Sequence, residues 1–383
     1  MIYNFDEHLD RKNTESVKWH WFDEDVLPMW VADMDFVSPE PVIRALQERV
    51  AHGVFGYPTD LPGLREVIVN RLAQKYQWAV NPEELVFVPG VVTGFNIAAQ
   101  AFVEEGSGVL IQPPVYMPFL KVANNVRGVR QDAPLTYQAD GFYSIDWDVF
   151  ESAITSQTSM FLLCNPHNPV GRVFTREELE RMAEICLRHN LIICSDEIHC
   201  DLVFAGSQHI PMASLSPQIA QNTVTLMAPS KTFNIAGLSC SFAVIQNPEL
   251  RKRFEHANKG MVHGVNLLGL VAAKAAYAEG QEWLDQLLVY LEENRNYLFH
   301  FVNEQLPGVK MYCPQGTYLA WLDCREAGIE GTVCDFFITQ ARVGLNNGEA
   351  FGKGGEGFVR LNFGCPRSML VEALERMKCA LLK

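Results

Sequence analysis

A chain of 383 residues is too long for one ordinary hydrophobic core, so two domains are expected. Its 48% hydrophobic and 20% charged residues exclude a disordered chain, and a net charge of −14 with no compensating basic stretch excludes general nucleic-acid binding. No apolar run approaches the roughly 18 residues of a membrane helix, residues 1–8 lack the basic and apolar regions of a secretory leader, and ten cysteines without a C-x-x-C pair point to a reduced, cytoplasmic protein.

Residues 1 to about 45 are aromatic- and acid-rich, with no long helical period until 39–50. A second helix is predicted over 64–76, after Pro62-Gly63. From about residue 85 short β-type runs alternate with helical patterns, the runs being 85–88, 109–111, 160–164, 191–195, 223–227 and 241–245. Cys164, Cys194 and Cys240 sit in these apolar runs as small core residues would. Thr175-Arg176-Glu177-Glu178 forms a capping box that opens a helix to about His189, with Asn190 as its C-cap. Strands alternating with helices of this length imply βαβ units and a largely parallel sheet.

After about residue 280 the pattern changes. Trp283, Leu284, Leu287, Leu288, Leu291, Leu298 and Val302 keep helical spacing, enough for an amphipathic helix that crosses between domains. Short runs such as 318–321, a helix near 333–342 and a closing helix from Ser368 follow. The expected organisation is a large domain of 46–275 and a small α+β domain of 1–45 and 276–383, built from both chain ends.

Three strand ends carry the chemistry. Cys164-Asn165-Pro166-His167-Asn168-Pro169-Val170-Gly171 follows the run 160–163, Asp196-Glu197-Ile198-His199 follows 191–194, and Ala228-Pro229-Ser230-Lys231-Thr232-Phe233-Asn234 follows 223–227. Ligands in open α/β sheets sit at strand carboxyl ends, and an amide, a carboxylate and an amine there suit pyridoxal 5′-phosphate: Lys231 for the Schiff base, Asp196 for the pyridine nitrogen, Asn168 for the ring hydroxyl. The bland alternatives are an exposed loop lysine for Lys231, a helix cap for Asp196, a turn for Asn168 and a polar core residue for His199. Pro89-Gly90-Val91-Val92-Thr93-Gly94 precedes the helical run 95–102 and offers free N–H groups to a phosphate, with the Ser230 hydroxyl as a further donor. Arg360, in a strand-like run of alternating bulk, suits a bidentate grip on a substrate carboxylate or else a surface ion pair. The run Gly348-Glu349-Ala350-Phe351-Gly352-Lys353 is one residue short of a P-loop, and the asparagine- and glycine-rich loop near Asn346 reads as a mobile flap. No H-x-x-x-H pair suggests a metal and no G-x-S-x-G a hydrolase.

Nearly the whole chain resembles the fold type I pyridoxal-phosphate enzymes of the class I/II aminotransferase-like superfamily, and within it the cystathionine β-lyase or C–S lyase branch. The words that carry this are Asp10-Arg11, Lys18-Trp19, Leu27-Pro28-Met29-Trp30-Val31-Ala32-Asp33-Met34-Asp35-Phe36, Gly53-Val54-Phe55-Gly56-Tyr57, Asp196-Glu197-Ile198-His199-Cys200-Asp201 and Ser230-Lys231-Thr232-Phe233-Asn234. The resemblance implies a three-layer α/β large domain with a mainly parallel seven-stranded sheet and a smaller α+β domain. It implies that Lys231, Asp196 and Tyr116 are catalytic, with Tyr116 stacked on the cofactor ring. Asn168 and His199 would lie near the ring hydroxyl, and the Val91 and Val92 backbone near the phosphate. Arg360 and Ala32 would meet the amino-acid substrate, and Tyr57 would reach the site of a partner subunit in a homodimer. One departure stands out: Ser239 occupies the position, eight residues past the lysine, where aminotransferases of this group carry a phosphate-binding arginine. The implied reaction is α,β-elimination from cystathionine or another cysteine S-conjugate. The alternatives are transamination or a non-catalytic regulatory descendant.

Overall fold

A computed structural model describes residues 1–383. Seven strands form the main sheet: β1 Leu85–Val88, β2 Gly108–Ile111, β3 Val129–Asp132, β4 Thr158–Cys164, β5 Ile192–Asp196, β6 Thr223–Met227 and β7 Ser241–Val244. Their order is β1-β7-β6-β5-β4-β2-β3, with β7 antiparallel to both neighbours and the other neighbouring pairs parallel. The central strands are almost wholly buried, as their largely apolar content requires between two helical layers. Strand β3, Val-Arg-Gln-Asp, is an exposed edge with no apolar run, so the sequence pattern did not reveal it.

Register places the site. Cys164 pairs with Asp196, and Asp196 with Leu226, so β4, β5 and β6 end side by side and their loops open onto one crevice. At the far side of β6, Val88 of β1 pairs with Ser241 of β7, which brings 89–93 beside 239–240.

The helices used below are α1 Glu40–Ala51, α2 Leu64–Tyr76, α3 Val91–Phe102, α4 Arg176–Arg188, α5 Leu267–Glu279, α6 Gln281–Gln305 and α7 Arg367–Leu381. Helix α4 opens on the expected capping box at Thr175 and is followed by Asn190 in the left-handed region (φ 58°), which closes it. Helix α3 starts at Val91 rather than at 95. Gly90 enters it at φ 144°, and Gly94 lies inside the helix because a Cβ there would stand 2.8 Å from Leu226. The helix expected near 333–342 is Val333–Phe336 continued by a π-helical turn, Phe337–Ala341, where the Thr339 hydroxyl donates back to the Asp335 carbonyl.

A second, antiparallel sheet has order β8-β9-β11-β10, from β8 Lys310–Met311, β9 Leu319–Asp323, β10 Asn346–Asn347 and β11 Phe358–Asn362. One hydrophobic core joins Met29, Met34 and Phe36 near the N-terminus to Trp283, Leu291, Leu361 and Met377. The expected boundaries at 45/46 and 275/276 fall inside α1 and α5, which pack on each other. No helix is long and apolar enough to cross a membrane.

Candidate active site

The three loops, the start of α3 and strand β11 surround a cavity of about 350 Å³. Lys231, Asp196, Tyr116, Val91, Val92, Asn168, His199, Ser230, Arg360 and Ala32 all line it. Tyr57 does not: it stands wholly exposed on the 53–60 segment beside exposed Val54 and Phe55.

Lys231 sits in the short helical turn Pro229–Thr232, which begins directly after β6. Its Nζ donates to the Ala32 carbonyl at 2.5 Å. Burial pulls the amine down to about 8 from its usual 10.5, with Arg360 adding repulsion and Asp33 and Asp196 opposing. Asp196 is buried at the end of β5, where the only hydrogen bond to its carboxylate is from the Ile198 N–H at 3.1 Å. Burial pushes this acid up to about 7, and neighbouring Glu197 adds to the shift. A buried carboxylate with one donor is the group a protonated ring nitrogen would satisfy. His199 is buried with Nδ1 unbonded, and burial and the nearby cations hold it neutral by drawing it down to about 3.

Arg360 lies mid-β11, opposite Asn346 on one side and Trp321 on the other. The position is buried, which excludes the surface ion pair. Its guanidinium donates to Asn168 Oδ1 at 2.9 Å, to Asn346 Oδ1 at 2.5 Å and to the Trp30 carbonyl at 3.1 Å, while Nε has no partner. Burial pulls it down to about 10, with Tyr116 and Tyr318 opposing, and no carboxylate pairs with it. A desolvated guanidinium held only by neutral acceptors is prepared for an incoming carboxylate. Asn346 thus belongs to the site: the segment expected to be a flap is strand β10, hydrogen-bonded along β11.

At the opposite end, Gly94 N–H makes the first intrahelical bond of α3, to the Gly90 carbonyl. The N–H groups of residues 91–93 therefore have no intrahelical acceptor, and residues 90–93 all line the cavity. Ser239, left-handed at φ 50°, faces the same cavity from the β7 side, so the anion end is built from backbone dipole without an arginine.

The stretch 30–36 bridges the two ends. Ala32 carbonyl accepts from Lys231 and from buried Tyr318, whose hydroxyl is 2.9 Å away. Asn234 holds Met34 at both N–H and carbonyl and also the Phe36 carbonyl, and Asn362 donates to the carbonyls of Val31 and Asp33. Beneath it, Asp35 receives Lys18 at 2.6 Å, Arg11 at 2.5 Å and Trp19 at 3.0 Å, while Arg11 also reaches Asp33 at 2.7 Å. Burial would raise Asp35, but Lys18 and Arg11 outweigh it and hold the acid below its usual range. The signature words of the N-terminal region are therefore an ion cluster, buried at Lys18 and Asp35 and partly exposed at Arg11 and Asp33, that underlies the stretch carrying the Ala32 carbonyl. Sequence reasoning missed Tyr318, Asn346 and Asn362, since each sits in a short strand or loop whose pattern carries no chemical motif.

An α/β sheet whose adjacent strand ends present an amine, a buried acid and an amide, with a helix N-terminus at one end and a buried arginine at the other, defines the fold type I class. Residues 24–377 match the family model for aminotransferase class I and II, and the chain belongs to that family. It is 43% identical over 387 residues to cystathionine beta-lyase PatB of Bacillus subtilis (strain 168), covering 99% of this chain and 100% of that one. It is similar to the crystal structure of OvoB, at 46% identity and TM-score 0.95 over 99% of each chain. It is similar also to the PLP-bound C–S lyase of Staphylococcus hominis, at 34% identity and TM-score 0.93 over 100% of this chain and 99% of that one.

Proposed function

We propose that this protein is a pyridoxal 5′-phosphate-dependent carbon–sulfur β-lyase. Cystathionine or another cysteine S-conjugate takes up one water and yields pyruvate, ammonia and a thiol. The observation that carries this is the meeting of Lys231, Asp196 and Arg360 on one cavity whose anion end lacks an arginine, Ser239 standing there instead. The relatives named as cystathionine beta-lyase and C–S lyase support elimination over transamination.

When bound, the cofactor supplies an electron sink for the charge left at the substrate's Cα. The N–H groups at the start of α3, with Ser230, would hold its phosphate, and Asp196 would meet the ring nitrogen. Asn168 and His199 would stand by the ring hydroxyl, and Tyr116 would cover the ring face. Arg360 fixes the substrate carboxylate, which orients the Cα proton toward Lys231 Nζ. The lowered basicity of that amine gives it a larger unprotonated fraction near neutral pH, and that form accepts the proton. Tyr57, exposed here, reaches the site of a second copy, so the working unit is a homodimer. The lobe 46–275 supplies the residues that would hold the cofactor, and the lobe of 1–45 with 276–383 supplies Ala32 and Arg360. The many buried free thiols suit the cytoplasm.

Purified protein given cystathionine and no oxo acid should release pyruvate and homocysteine in equal amounts. Turnover that required 2-oxoglutarate and produced glutamate would move the assignment to aminotransferase. Arg360→Ala should lower kcat/KM for carboxylate-bearing substrates by about a hundredfold, the usual effect of removing one partner of a buried charge-assisted contact. Equal losses on amines without the carboxylate would assign Arg360 to structure instead.

A further inference from the structure

Each carbonyl from Trp30 to Met34 accepts from a side chain. Arg360 holds Trp30, Asn362 holds Val31 and Asp33, and Asn234 holds Met34. Ala32 differs, because its carbonyl is shared between the Lys231 amine at 2.5 Å and the Tyr318 hydroxyl at 2.9 Å. Once that amine engages the cofactor, Tyr318 is the one side-chain donor left on it. Tyr318 is 1% exposed and does not line the cavity, and its ring meets the His199 ring edge-on at 5.9 Å. It therefore stands directly behind two parts of the site. The turn that delivers it is anchored in the catalytic loops. The N–H groups of Gln315 and Gly316 both donate to the Gly171 carbonyl, beyond β4, and the Thr317 N–H donates to the Leu202 carbonyl, beyond β5. Thr317 is buried at φ 68°, the one β-branched residue of the chain in the left-handed region. Such a residue adopts that backbone only where its surroundings impose it, and imposed conformations cluster at functional sites. One turn thus ties the loops of Asn168 and Asp196 to the carbonyl on which Lys231 rests.

We infer that Tyr318 is a positioning residue for the reaction: its hydroxyl fixes the Ala32 carbonyl as the rest that holds the free Lys231 amine toward the substrate's Cα proton. This role rests on Lys231 being the amine that bonds the cofactor and takes the proton, and it is the same for elimination and transamination. With the hydroxyl in place, the carbonyl keeps one orientation whether the amine is present or away. A base displaced by about 1 Å loses on the order of a hundredfold in rate, so the orientation of its rest matters.

Tyr318→Phe is the test, because the ring and its contact with His199 remain while the hydroxyl is lost. In the cofactor-free variant the Ala32 carbonyl keeps Lys231 as a donor, so the melting temperature should stay close to native. In the loaded variant the carbonyl has neither donor. The gain in melting temperature from saturating pyridoxal 5′-phosphate should therefore be smaller than in the native protein. On mixing with the cofactor, the borohydride-reducible bond should form about tenfold more slowly. With cystathionine, kcat should fall by about tenfold to a hundredfold while KM changes little. The isotope effect from Cα-deuterated substrate should rise, as proton transfer becomes limiting. Equal melting losses with and without cofactor, or a cofactor-free variant that does not fold, assign the hydroxyl to structure alone and overturn the inference. A native kcat or a native rate of bond formation overturns it too. If the native protein itself releases no pyruvate from cystathionine, the lyase reading fails, and the melting and bond-formation measurements still decide the role of Tyr318.

Discussion

Lys231→Ala should leave a folded protein that forms no borohydride-reducible bond with pyridoxal 5′-phosphate and turns over at least about four orders of magnitude more slowly, the upper range for loss of a positioned general base. No other lysine lines the cavity. The nearest rival by sequence motif, Lys18, is fully buried and committed to Asp35 at 2.6 Å, so it cannot swing in as a substitute. Folding should survive because the lysine is only partly buried and its single hydrogen bond goes to the Ala32 carbonyl, which keeps the Tyr318 hydroxyl as a donor. Circular dichroism and melting temperature check that point separately from activity. A reducible bond in the variant, located on another lysine by mass spectrometry, would remove Lys231 from the role given to it.

The parts of the site that were legible in the sequence share one property: each follows an apolar run whose end fixes its place. Asn168, Asp196 and Lys231 are far apart in the chain, yet parallel pairing of β4, β5 and β6 sets their strand ends in a row, and the runs themselves announce the strands. Arg360 was visible for the same reason, as a charge inside a buried β-type run. What the pattern could not reveal depends on pairing between distant segments. Strand β3 is polar and exists because β2 offers it an edge to bond, and Asn346 looks like loop material until β11 draws it into a ladder. Gly94 reads as a turn glycine, whereas the structure needs it small so that α3 can rest on Leu226. The Asn234 and Asn362 clamps on 31–36 are long-range side-chain bonds to backbone, which leave no periodicity to read. Tyr57 is the opposite case: its word suggests a function, but nothing within one chain receives it.

Asp196→Asn should separate two contributions that Lys231→Ala cannot. The amide keeps the shape of the acid and can still accept from the Ile198 N–H, so the end of β5 should stay as it is. What is lost is the charge. A neutral amide cannot hold a ring nitrogen protonated, so turnover should fall by about two to three orders of magnitude, comparable to removing one preorganised electrostatic stabiliser. The cofactor-free protein should respond in the opposite direction. Burial raises this acid to about 7 from its usual 3.8, so between those values the folded chain binds a proton that the unfolded chain has released. Stability therefore falls as pH rises through that window, and ionised Asp196 is a liability above it. The cofactor-free Asn variant should melt higher than the cofactor-free native chain at pH 8, and the difference should close as pH is lowered toward 4. Saturating both with pyridoxal 5′-phosphate should shrink or reverse the gap at pH 8, because the ring nitrogen gives the carboxylate the partner it lacks within the chain. Near-native turnover in the Asn variant would sink the catalytic role, and a melting difference independent of pH would show that Asp196 is not the buried acid the geometry makes it.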